Sequence, residues 1–89
     1  MIIVSYDIAN DKMRMNFSKM LKKYGAIRLQ YSVYEVVNTK RVRDNLVAKV
    51  EAYSKHFTFD DSVIIFDVAS EKLTKYGYSI HRDQPVVYF

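Results

Sequence analysis

The chain has 89 residues, 49% of them apolar, and no cysteine. That length allows one domain with one core, and the missing cysteines exclude both a disulfide scaffold and a thiolate metal site. Net charge is +4 and unevenly spread: Lys12, Arg14, Lys19, Lys22, Lys23 and Arg28 face no acid in that interval, and Lys40, Arg41, Arg43 and Lys49 form a second group. Such stripes suit a phosphate backbone, and equally describe a solvated helix face.

The first apolar run ends at Asp7, too short for a signal-peptide core with its flanks. No stretch approaches the roughly 20 apolar residues of a membrane span. The expectation is a cytoplasmic protein with no membrane partner. The high apolar fraction in so small a chain points to oligomerisation.

Ile2 to Ile8 read as a strand apolar on both faces, with Ile2, Val4 and Tyr6 on one side and Ile3, Ser5 and Asp7 on the other. Burial on both faces marks a central strand. Asn10 or Asp11 caps a helix to about Tyr24, whose stripe is Met13, Phe17, Met20, Leu21 and Tyr24. Gly25 is its stop. Ala26 to Tyr31 form a second strand, with Ile27, Leu29 and Tyr31 on one face and Arg28 and Gln30 on the other. Val33 to Val37 form a third, reached through a tight or bulged turn at Ser32. Thr39 caps a second helix over Lys40 to Lys55, with Val42, Leu46, Val50 and Tyr53 on one face. Ser62 to Val68 make a fourth strand, Val63-Ile64-Ile65-Phe66 followed by Asp67. A polar link over 71–84 leads to Pro85-Val86-Val87-Tyr88-Phe89, an edge strand.

The order β-α-β-β-α-β is α+β and ferredoxin-like: a four-stranded antiparallel sheet with two helices on one face, in a single domain over 1–89. The strands are apolar on both faces, so the face without helices needs a cover. A second copy packed sheet to sheet would supply it. The segment 70–89 would then add its strand to the partner's sheet edge.

Asp7 is the candidate catalytic residue. A carboxylate at the tip of a buried strand needs a cation or a hydrogen-bond donor, and a metal is one answer. One carboxylate makes a poor magnesium site, whereas two Asp7 side chains across a dimer axis, with waters and a phosphate oxygen, would suffice. The competing assignment is a cap on the first helix. Arg14 and Arg28 are the candidate phosphate contacts, because a guanidinium grips phosphate in bidentate fashion; Lys12 and Lys19 extend that basic surface. For Arg14 the alternative is a surface helix residue, and for Arg28 an ion pair with Glu35. Tyr6 and Tyr31 read as core or interface aromatics, and Ser32 as the residue that shapes the turn. His56 and His81 lack metal-ligand spacing.

Tyr6-Asp7-Ile8 with Asn10-Asp11 and Arg14, then Tyr24-Gly25, then Arg28-Leu29-Gln30-Tyr31-Ser32-Val33-Tyr34-Glu35, resemble the Cas2 family of CRISPR-associated adaptation proteins. The match is close over the first 37 residues and looser through Val68. The resemblance implies a ferredoxin-like homodimer with facing sheets. It implies a magnesium- or manganese-dependent endonuclease acting on RNA or duplex DNA, with Asp7 of both protomers on the metal. It also implies a bridging role between subunits of the CRISPR spacer integrase, in which cleavage is dispensable. Two departures stand out: Tyr34 where Phe is common, and Asp67 where a small residue or proline is usual, which raises a second carboxylate near the strand ends. The alternatives are a stand-alone toxin-type ribonuclease and a non-catalytic interaction module.

Overall fold

A computed structural model describes residues 1–77. The strand expected at Pro85–Phe89, its addition to a partner's sheet, His81 and the later part of the 71–84 link lie outside the described residues. Six main elements follow in order: β1 (Ile2–Asp7), α1 (Asp11–Lys23), β2 (Ile27–Gln30), β3 (Val33–Val36), α2 (Lys40–Ser54) and β4 (Ser62–Asp67). A short 3-10 turn over Ser70–Lys72 comes after them, overlapping the start of the expected irregular link. The strands form one antiparallel sheet in the order β2-β3-β1-β4, which is the ferredoxin-like arrangement.

Local chemistry sets the element ends. The Asn10 side chain accepts from the Met13 amide at 2.8 Å and starts α1; Thr39 does the same for α2 through Val42 at 3.2 Å. Asn10, rather than Asp11 or Asp7, is thus the cap. At the far end Gly25 takes φ 77°, a left-handed conformation that favours glycine. Ser32 takes φ 66° without that freedom, at a cost of roughly 1–2 kcal/mol.

One face of the sheet carries the core. Ile2, Val4, Tyr6 and Ile8 pack with Phe17, Met20 and Leu21 of α1, Tyr34 and Val36 of β3, and Leu46 of α2. Phe17 meets Tyr6 edge-on at 4.8 Å between ring centroids and Tyr53 at 5.2 Å, favourable geometries for aromatic pairs. Both helical stripes read from the sequence line this core.

The opposite face has no helix among the described residues. Ile3 is buried there, but Ile27, Ile64 and Phe66 are 37%, 60% and 47% exposed. The two-sided apolar character of the strands is therefore real, and among the described residues it is only half satisfied.

The second strand departs from the expected alternation. Arg28 pairs with Tyr34 and Gln30 with Val33, which leaves a bulge at Leu29. Leu29 is buried, whereas Ile27 is on the open face and Tyr31, in the turn, is 77% exposed. Gln30 is across from Val33, which pairs with Ser5 on the open face, whereas Arg28 is across from Tyr34, which pairs with Val4 on the covered face; Arg28 and Gln30 therefore do not share a face, because the extra residue shifts the side-chain period. Tyr31 is not a core residue, while Tyr6 is.

Candidate active site

Asp7 ends β1, the strand between β3 and β4. Tyr6 points into the core, so the alternation of the strand turns Asp7 to the open face, in line with Ile3 and Ser5. It stands opposite Ser62 of β4 and is exposed. Its carboxylate makes no hydrogen bond or ion pair to the described residues. The loop beside it is fastened by other groups. The amide of Ala9 donates to Asp61 Oδ1 and that of Thr58 to Asp61 Oδ2, at 2.9 Å each. These two N–H groups hold the Asp61 carboxyl below the usual carboxylate range.

Arg14 is part of the same fastening. Its Nη1 donates to the carbonyls of Ile8 at 2.9 Å and Ala9 at 3.4 Å. Its Nη2 pairs with Asp11. One guanidinium thus ties α1 to the loop that leaves the Asp7 strand, and it remains partly exposed. Arg28 lies on the helix side of the sheet. Its Nε donates to the Tyr34 hydroxyl at 3.0 Å. Its guanidinium carbon is 5.4 Å from the centre of the Tyr31 ring and 5.5 Å from that of Tyr34. Glu35 stands opposite Ile27 in the register, hence on the other face of the sheet from Arg28. Burial, reinforced by the adjacent Tyr34 phenol, pushes the Tyr6 phenol up to about 12, against the opposing pull of Arg28.

The four basic residues singled out from sequence fall in three places. Arg14 and Arg28 line one cleft of about 390 Å³, together with Tyr31 and Ser32. Lys19 lines another of about 510 Å³ with Lys23, Lys49, Tyr24 and Tyr53. Lys12 is exposed on the first turn of α1.

Asp67 is not a second carboxylate beside Asp7. It pairs in register with Ile2, at the other end of β1, about 16 Å along the strand. There it accepts from Asn38 Nδ2 at 2.7 Å and lies 3.5 Å from Arg43 and 3.7 Å from the N-terminal ammonium. That cluster gives Asp67 a structural role.

Among the described residues no three His, Cys, Asp or Glu side chains gather as a metal site. Among the described residues Asp7 is a lone carboxylate at this strand end, too little for a magnesium cage. The donor set fits a divalent ion only if a second copy contributes.

Sequence reasoning missed the Asp61 brace and the shared cleft of Arg14, Arg28 and Tyr31. Thr58-x-x-Asp61 is a legible turn signal, since the Thr58 amide and hydroxyl both reach the Asp61 carboxylate. Nothing local announces the bond to Ala9.

Comparison with known proteins gives the family and the fold. The family model described as CRISPR associated protein Cas2 matches residues 1–76. The chain is 30% identical over 89 residues to the CRISPR-associated endoribonuclease Cas2 3 of Chloroflexus aurantiacus, covering 97% of this chain and 92% of that protein. It is 38% identical over 50 residues to the CRISPR-associated endoribonuclease Cas2 4 of Rhodospirillum rubrum, covering 56% and 40% of the two. A crystal structure of a hypothetical protein from Thermus thermophilus has the same fold, with a TM-score of 0.66 at 24% identity over 97% of this chain and 93% of that one. The chain belongs to the CRISPR-associated Cas2 family.

Proposed function

We propose that this Cas2 protein is a homodimer that binds nucleic acid and bridges subunits of the CRISPR spacer integrase, with a magnesium-dependent endonuclease site shared between two Asp7 side chains. The observation that carries the reading is the Asp7 carboxylate, exposed on the open face of a central strand and unengaged by the described residues. Two further facts support it. The same face exposes Ile27, Ile64 and Phe66, apolar area that a second copy would cover. The relative from Chloroflexus aurantiacus carries the name endoribonuclease.

Magnesium or manganese, when bound by the two Asp7 carboxylates, would lower the pKa of a bound water and polarise a phosphodiester. The chain's own residues do the rest. Asp61 and Arg14 fix the loop after β1, so Asp7 is presented from a braced strand end. Arg14 and Arg28 supply fixed positive charge for backbone phosphates, and the exposed Lys12 and Lys19 extend it. The bridging role uses the dimer as a rigid spacer and does not need the cleavage site.

The test is cleavage of single-stranded RNA and duplex DNA with magnesium by stringently purified wild-type and Asp7→Asn protein. The expected loss is about 100-fold or more, the scale of several kcal/mol of metal-assisted stabilisation, with melting temperature unchanged. Wild-type rates in Asp7→Asn would overturn the catalytic assignment. Integrase capture by the same variant should stay intact.

A further inference from the structure

We infer that the cleft beneath the β2–β3 turn is a nucleobase-stacking subsite, with Tyr31 as the platform, and that it takes an unpaired nucleotide of a single strand. The inference rests on the reading that this chain binds nucleic acid, and it names which form the site selects.

Tyr31 stands at the hairpin tip with 77% of its surface exposed. Hydration of so large a ring is unfavourable, yet the turn holds it there. Ser32 adopts φ 66°, a conformation that costs a non-glycine residue free energy. Its carbonyl accepts from the Tyr6 amide at 3.0 Å, so the tip is pinned to the strand that ends in Asp7. The Arg28 guanidinium sits by the ring at 5.4 Å and is itself held by the Tyr34 hydroxyl at 3.0 Å. The ring thus lies beside a cation and is still accessible. Arg14 lines the same cleft, where its charge can meet the phosphate next to a stacked base. At about 390 Å³ the cleft falls in the size range of small-ligand sites, about 300–1,000 Å³.

An exposed aromatic beside paired arginines matches single strands better than duplex. Every base has a π-face to stack, but in a duplex that face is occupied by neighbouring base pairs. The cleft opens on the helix side, between the turn and residues such as Met15 and Ser18 of α1. Covering the open sheet face with a second copy therefore leaves it free.

The test measures binding of the full chain, in EDTA, to single strands carrying 2-aminopurine and to matching duplexes. Wild type should quench 2-aminopurine in the single strand. Tyr31→Ala should lose the quench and weaken single-strand binding about tenfold, a typical stacking loss, with duplex affinity within about twofold. Tyr31→Phe should keep both. Far-UV circular dichroism checks that the exposed substitutions leave the helices intact. If Tyr31→Ala binds single strands as wild type does, the stacking subsite is wrong while nucleic-acid binding stands. If wild type binds neither form, the nucleic-acid reading falls and this subsite with it.

Discussion

Asp7 and Asp67 are both strand-end acids in the sheet's two adjoining strands β1 and β4. Asp67 is surrounded by donors: Asn38, Arg43 and the N-terminal ammonium. Asp7, at the other end of the same pairing, has none among the described residues. The fold thus uses one carboxylate to fasten α2 and the chain start to the sheet, and leaves the other open on the face where apolar side chains are exposed. Charge alone does not separate the two acids; the number of partners does.

Contrasting substitutions sharpen that difference. The largest effect is the loss of cleavage in Asp7→Asn described above. Next is Ile64→Asp on the open face. A buried, unpaired charge at a dimer interface costs several kcal/mol, so sedimentation should show monomers at micromolar concentration. Cleavage should fall with the dimer although Asp7 is intact. A dimer that survives Ile64→Asp would remove the open face as its seat.

Tyr6, on the covered face, gives a pH test. Its phenol is raised from 10.0 to about 12 in the folded chain, mainly by burial. The folded state therefore favours the protonated phenol. The resulting stability is fully present below pH 10 and is lost as pH rises through about 12, an upper bound of about 2–3 kcal/mol. Tyr6→Phe should flatten the alkaline fall in stability across that window, as followed by chemical denaturation. An equally steep fall would mean that Tyr6 does not carry it.

The smallest effect belongs to Asp67→Asn. Its ion pairs are about half exposed, so stability should drop by about 0.5–1 kcal/mol, with cleavage unchanged. A loss of activity there would erase the contrast with Asp7.

Much of this was legible in the chain. The caps Asn10 and Thr39, the stop at Gly25 and the two helical stripes are local signals, and each appears where its chemistry puts it. The two-sided strands also read directly, whereas Asp7, read as an acid on a buried strand tip, is exposed, because β1 leaves the core at its last residue. What did not read was long-range pairing. Asp67 meets Asn38 across 29 positions and Asp61 meets Ala9 across 52, so neither role has a local signature. Arg14, read as a phosphate contact or a surface residue, also clasps the carbonyls of Ile8 and Ala9. The bulge at Leu29 put Arg28 and Gln30 on opposite faces of β2, and Tyr31 falls in the exposed turn that follows it. Two residues set opposite one do that through the pairing alone, which no local pattern in β2 announces.

The central claim is that Asp7 is half of a metal site. Calorimetric titration of the protein with manganese measures it most directly. Wild type should bind one ion per two chains, and Asp7→Asn none. One ion per chain, or binding undiminished in Asp7→Asn, would contradict it.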